Sequence, residues 1–422
     1  MSAINAGDTA WVLMSGALVL FMTPGLAIFY GGMVRAKSTL NMMMMSFAAM
    51  GVTTILWVLY VYSLAFAPDA KGGLIGNLHN IGLSHTINEV VGNPGHQIPE
   101  LAYVMFQLTF AIITVALLSG AIADRAKYGS WVLFIAIWVT FVYAPVAHWA
   151  FASQHGHGGW IVDRLHALDF AGGTVVEINS GAAALALAIV LGRREGFKRD
   201  PMRPHNMPLV LLGAGMLWFG WFGFNAGSAM SAGQLAATAM INTQIATAAA
   251  AMSWLTYEKI REGKSTTLGS ASGAIAGAVA ITPACGFVTP LGALVIGALA
   301  GLISAYAVSR KYKFNYDDSL DVVGVHGIGG IVGMIGVGLI ATTAVNKLGG
   351  NGLFIHGNAS LLVKELIAIV ATAAFSFIAT FAIAKTIEKT IGFRVRRDIE
   401  LEGLDTTIHA ESAYDITSYT TR

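Results

Sequence analysis

Eleven stretches of this chain are apolar and long enough to cross a lipid bilayer, and that restricts the fold more than any other feature. They cover roughly 9–32, 41–66, 100–123, 130–151, 168–191, 207–227, 234–257, 268–287, 290–309, 320–343 and 361–387. A hydrocarbon slab about 30 Å thick takes about 20 helical residues to span. Inside it every backbone N–H and C=O must be satisfied by the protein itself, so such segments fold as helices. Charged residues make up 11% of the chain, against about 25% in a soluble domain. The 49 glycines suit helices packed closely in a bilayer. The expectation is an all-α polytopic membrane protein of eleven transmembrane helices, with the lipid bilayer as its solvent.

The basic residues alternate between loops. Arg35 and Lys37 follow the first segment, Arg125 and Lys127 the third, and Arg193, Arg194, Lys198, Arg199 and Arg203 the fifth. Lys259, Arg261 and Lys264 follow the seventh, and Arg310, Lys311 and Lys313 the ninth. Of 25 Lys and Arg, only Lys71, Arg164, Lys347 and Lys364 fall outside these loops, the C-terminal end of the eleventh segment (Lys385, Lys389) and the tail. The positive-inside rule puts the basic loops in the cytoplasm. The N-terminus is then expected outside and the C-terminus in the cytoplasm, in an inner or plasma membrane. Met1 to Asp8 lack the basic start of a cleaved signal peptide. Residues 1–391 read as the membrane domain and 392–422 as a cytoplasmic tail, too short to fold alone.

The fifth segment carries two acids, Asp169 and Glu177. An acid deep in a bilayer costs at least ~2.5 kcal/mol and usually marks an ion or proton path. Glu177 is followed four residues on by Gly181, and in the tenth segment His326 is followed four residues on by Gly330. Each segment also has an Asp upstream, Asp169 and Asp321. The two segments run in opposite directions, which fits an inverted repeat of two five-helix halves plus one extra helix, with functional groups meeting near the midplane.

Other classes lack their signatures. Cys285 is the only cysteine, which excludes an internal disulfide and a Cys-rich metal site. Gly263-Lys264-Ser265 resembles the end of a P-loop, but Glu258 stands where the first glycine belongs. HExxH and GxSxG are absent. No enzyme activity, cofactor, metal or nucleic-acid partner is expected. His155 and His157 read as a solvated loop.

Six strings resemble the ammonium transporter family (Amt/Mep/Rh) and fall in the family's order. They are Thr23-Pro-Gly-Leu-Ala-Ile-Phe-Tyr-Gly-Gly32, Met105-Phe-Gln-Leu-Thr-Phe110, Asp169-Phe-Ala-Gly-Gly-Thr-Val-Val-Glu-Ile-Asn-Ser-Gly181, Trp218-Phe-Gly-Trp-Phe-Gly-Phe-Asn-Ala-Gly-Ser228, Ile281-Thr-Pro-Ala-Cys-Gly286 and Asp318-Ser-Leu-Asp-Val-Val-Gly-Val-His-Gly327. The resemblance implies a homotrimer with one narrow pore per subunit. It implies that Phe106, Gln107 and Phe110 belong to the outer vestibule, that Phe110 and Phe224 form a stacked gate, and that Ser228 accepts a hydrogen bond from incoming ammonium. Phe224 and Ser228 are i and i+4, as are Phe106 and Phe110, so each pair shares a helix face. Asp169 is implied to bond backbone beneath the vestibule, and Thr282 to be a supporting position. His326 matches the second of two facing pore histidines.

Two positions depart from the family. Glu177 stands where the first pore histidine is most common, although some fungal members carry Glu there. Phe151, in His148-Trp-Ala-Phe151, stands where a vestibule tryptophan is usual; its cation–π face is weaker. The tail strings Glu402-Gly-Leu-Asp405 and His409-Ala-Glu-Ser-Ala-Tyr414 resemble a motif that couples subunits and contacts P-II-type signalling proteins. The function implied is transport. Ammonium, or its analogue methylammonium, is captured at Phe110, Phe151, Phe224 and Ser228 and deprotonated, and ammonia passes Glu177 and His326. The alternatives are an ammonium sensor with little flux and a passive channel for ammonia or carbon dioxide.

Overall fold

The computed structural model describes residues 4–154 and 156–414; His155 and the tail beyond Tyr414 lie outside the described residues. Eleven apolar helices form one bundle: α1 (Ala6–Met33), α2 (Ala36–Phe66), α3 (Glu100–Ile122), α4 (Tyr128–Phe151), α5 (Gly173–Leu191), α6 (Met207–Gly227), α7 (Gln234–Glu262), α8 (Thr267–Ile281), α9 (Pro290–Phe314), α10 (Val323–Ile340) and α11 (Ser360–Thr390). Two short helices, α12 (Arg397–Glu402) and α13 (Leu404–His409), follow in the tail. The loop between α2 and α3 holds a two-stranded pair, β1 (Val90–Val91) and β2 (Ile98–Pro99), antiparallel with Val90 opposite Pro99.

Of the helix ends that fall inside the apolar runs, three have a plain local reason. α8 stops at Ile281 because Pro283 has no N–H to continue the ladder, so the 268–287 run closes with a turn. α5 begins at Gly173 rather than 168, because Asp169 folds residues 169–172 into a cap. α10 begins at Val323, after a turn in which Asp321 takes φ +67°.

The two halves meet through glycine. α1 lies along α6, where a Cβ on Gly213 would sit 2.4 Å from the Phe29 nitrogen. α5 crosses α10 where a Cβ on Gly181 would sit 2.2 Å from the Gly327 Cα. Contacts this short put backbone against backbone, and any side chain would separate the helices. α11 packs on α5 and α10 from outside and exposes Val370 and Ile378, a surface suited to lipid.

The bundle has two unlike ends. One carries the long loops 67–99, 152–172 and 341–359 and few basic residues; it is termed the vestibule end. The other is the basic end. There Arg125, fully buried, reaches Ser319, Ala121 O and Asp317 O. Arg194 grips the Asp317 carboxylate through Nε and Nη2, both at 2.9 Å. The tail docks on this end. Asp405 accepts the Leu40 and Asn41 amides, Glu400 pairs with Arg394 at 2.7 Å, and Lys37 donates to Leu401 O. Tyr414 meets His205 and Asn206 through its hydroxyl.

Candidate functional site

α3 and α6 each present a phenylalanine to the other. Phe110 and Phe224 stack with ring centroids 4.2 Å apart and planes 26° from parallel. Both rings are about 1% exposed. Phe106 sits behind Phe110, 4.9 Å away, and Phe151 from the end of α4 stands edge-on to Phe110 at 6.2 Å and 81°. Trp160, the other aromatic near this mouth in sequence, packs on Trp149 instead. One turn beyond Phe224, the Ser228 hydroxyl donates to Phe224 O at 2.8 Å. A hydroxyl that has spent its proton on the helix keeps only lone pairs to offer, so it faces an arriving N–H donor as an acceptor.

Under the stacked rings lies a narrow apolar cavity. Leu26, Ile113, Val176, Leu217 and Ile275 line it, and among the described lining residues only Glu177 and His326 are ionisable. About 10 Å³ is open to the centre of a water-sized molecule, roughly the room for one water. A bare cation there would lose nearly all hydration, at a cost neutral ammonia avoids.

Glu177 and His326 come from opposite halves and share a hydrogen bond, Oε2 to Nδ1, of 2.7 Å. Glu177 is fully buried and His326 is 5% exposed. The second Glu177 oxygen, Oε1, has no partner among the described residues. Both residues lie in helix starts wound wide, with i to i+5 hydrogen bonding, over Gly173–Ile178 and Val323–Gly327. Such single wide turns recur at functional sites because they re-aim a side chain.

The two starts match at an offset of 149 residues, the separation of Glu177 and His326. Asp169 falls on Asp318, Gly172 on Asp321, Thr174 on Val323 and Gly181 on Gly330. Gly172 and Asp321 both have positive φ. Asp169 accepts the Gly172, Gly173 and Thr174 amides at 2.6–2.8 Å, plus the Thr174 hydroxyl. Asp318 accepts the Val323 amide at 2.7 Å. The partner of Asp169 is therefore Asp318, not Asp321, which instead binds the Lys311 ammonium. The spacing was readable, since each aspartate lies eight residues before its pore residue.

The remaining expected positions are less direct. Asp169 spends its oxygens on three backbone amides and the Thr174 hydroxyl. Thr282 accepts the Trp221 indole N–H at 2.9 Å and donates to Ala278 O; it holds Trp221, which lines the cavity. Gln107 is 5% exposed, and its Oε1 has no partner among the described residues. Trp221 was missed as a pore wall, although it falls within a quoted string.

Outside the membrane-spanning segments, two neighbouring acids at the basic end differ. Burial lifts the Asp318 carboxyl to about 6, with Lys311 holding it back. Burial also opposes ionisation of Asp317, but the Arg194 fork and Arg125 outweigh it and bring it to about 2.

Comparison with known proteins matches this arrangement along nearly its whole length. The family model described as Ammonium Transporter Family matches residues 10–414. An ammonium transporter of Mycobacterium bovis is 52% identical over 98% of this chain and 91% of its own. Among solved structures, Saccharomyces cerevisiae Mep2 is similar at a TM-score of 0.84 and 32% identity, covering 94% of this chain and 88% of that one. A sensor Amt protein is similar at a TM-score of 0.86 and 26% identity, over 94% and 97% of the two chains. The chain belongs to the ammonium transporter family.

Proposed function

We propose that this protein moves ammonium into the cell by capturing the cation, removing its proton at the gate and conducting ammonia through the apolar cavity. The observation that carries the reading is a cavity too narrow and apolar for a hydrated cation, with one buried acid–imidazole pair in its wall. Ammonium arrives at Ser228 and the faces of Phe110, Phe224 and Phe151, whose attraction for a cation is about 0.5–2 kcal/mol. Potassium, which has no proton to give up, pays the full desolvation penalty and is refused. Ammonia then passes Glu177 and His326. These two share one hydrogen bond, and imidazole both donates and accepts, so the pair takes up the released proton and hands it toward the basic end.

The distribution of Lys and Arg supports a vestibule facing outside and a tail in the cytoplasm. The family supports a homotrimer with one pore per subunit, and the docked tail a surface for a P-II-type partner. A sensor reading has one finding in its favour, the likeness to the sensor Amt protein. Flux separates the two. Methylammonium uptake into liposomes holding the purified protein is expected, and Ser228→Leu, which fills the capture site and removes its acceptor, is expected to abolish it. Wild-type uptake by Ser228→Leu would refute the site. Ammonium binding without uptake by the unmodified protein would favour the sensor.

A further inference from the structure

Beside the gate, at the vestibule end, lies a second cavity of about 320 Å³. Phe151 lines it while standing edge-on to Phe110, so the cavity adjoins the gate. A water-sized body occupies about 30 Å³, so there is room for a small cation with much of its hydration shell. One wall is a cluster of rings. Tyr62 and Phe66 are 5.6 Å apart, and Phe66 meets Tyr103 edge-on at 5.3 Å. Glu100 lines the same cavity. Its Oε1 accepts the Tyr62 hydroxyl at 2.7 Å, and its Oε2 has no protein hydrogen bond among the described residues. None of the described lining residues is Lys or Arg. The titratable residue His96, at the rim, is bound to Asp8 at 2.8 Å.

We infer that this cavity is a second cation subsite, in which Glu100 and the rings of Tyr62, Phe66 and Tyr103 hold a hydrated ammonium-type cation before it sheds water at the gate. The inference rests on the transport reading above and adds a staging step to it. Rings offer a negative face to an ammonium, and a carboxylate in a pocket whose described lining has no Lys or Arg adds a net attraction that raises the local cation concentration. The competing explanation is mechanical: Glu100 opens α3 and favours its N-terminus, anchoring Tyr62 with no dealings with the cation. Charge separates the two, since Gln at this position still accepts the Tyr62 hydroxyl.

The experiment is methylammonium uptake against concentration in phosphatidylcholine liposomes, which carry no net surface charge, at low and high sodium chloride. Glu100→Gln is expected to raise half-saturation about three- to tenfold, the scale of one opposite charge a few ångströms away in near-aqueous surroundings, with little change in maximal rate. Glu100→Asp is expected to stay within about twofold of the unmodified protein. High salt should raise half-saturation of the unmodified protein and leave Glu100→Gln nearly flat. Unchanged half-saturation in Glu100→Gln at low salt overturns the subsite. So does loss of maximal rate in both variants alike, the sign of an anchor. Should Glu100→Gln fail to fold, a salt-independent half-saturation in the unmodified protein overturns it as well. Uptake absent from the unmodified protein would sink the transport reading and this one with it. Uptake present but unaltered by Glu100→Gln sinks this one alone.

Discussion

The start of α5 and the start of α10 share a plan: an aspartate cap, a residue at positive φ, a wide first turn, an ionisable pore residue, and a glycine four residues later. They carry different loads. At α5 the cap accepts three amides and a hydroxyl, and the pore residue is an acid. At α10 the cap accepts one amide, Lys311 bridges the turn to the Asp321 carboxylate, and the pore residue is an imidazole. A repeated scaffold fixes where two side chains meet; the residues it carries decide the chemistry there. The facing pair is a carboxyl and an imidazole, one from each half, joined by a 2.7 Å hydrogen bond.

The glycines give the largest test of this comparison. A Cβ on Gly181 falls 2.2 Å from backbone, whereas one on Gly330 falls 2.8 Å from the Glu177 Cβ. Overpacking a tight contact costs about 1–3 kcal/mol even where neighbours can move, and backbone moves least. Gly181→Val is expected to yield almost no folded protein, and Gly330→Ala a folded protein with a lowered melting temperature. Gel filtration and melting in detergent measure both. Equal tolerance would mean that the halves do not depend on this crossing.

The two caps should respond differently. Asp169→Ala leaves three amides without their acceptor, and charged hydrogen bonds contribute about 1.5–3 kcal/mol each when made. A loss of roughly 2–4 kcal/mol is expected, with some amides recovering water. Asp318 acts in the opposite sense. Its carboxyl titrates near 6 when folded but near 3.9 in an unfolded chain, so the folded state binds more protons between those values. Stability then falls as pH rises from about 4 to about 6. Asp318→Asn is expected to flatten that part of the melting profile. The neighbouring Asp317, held near 2, contributes stability present above about 4 and lost as pH falls toward 2. A profile unchanged by Asp318→Asn would contradict the assignment.

The smallest expected effect is at the gate. Phe151 stands edge-on to Phe110, and the ring of Trp is the better cation binder. Phe151→Trp should lower transport half-saturation two- to fivefold, about 0.5–1 kcal/mol. Trp160→Ala should leave it nearly unchanged, because Trp160 packs on Trp149. The reverse result would move the vestibule ring from Phe151 to Trp160.

Much of this was legible before the structure, and the gaps have physical causes. Eleven helices follow from apolar length alone. Their ends do not, because Pro283 and the Asp169 cap act locally inside longer apolar runs. Periodicity puts Phe224 and Ser228 on one face of α6, but the stacking of Phe224 on Phe110 joins residues from two helices; only the family strings pointed to it. The resemblance gives Thr282 only as a supporting position; that its hydroxyl holds the Trp221 indole joins two helices and needs the structure. Asp321 was matched to Asp169 as the nearer acid; the eight-residue spacing to the pore residue selects Asp318. Glu100 carries no signal in the sequence, since nothing in a linear string reveals the rings of α2 beside it.

The central claim is that Glu177 and His326 together carry the proton that ammonium leaves at the gate. Electrical recording of ammonium pulses on proteoliposomes tests it most directly, with unmodified protein and Glu177→Gln compared across pH. Gln keeps the size and a hydrogen bond to His326 but cannot titrate. The account predicts an inward transient current in the unmodified protein and a current cut at least tenfold, about 1.4 kcal/mol in barrier, in Glu177→Gln with its assembly intact. An equal current in both at every pH would contradict it.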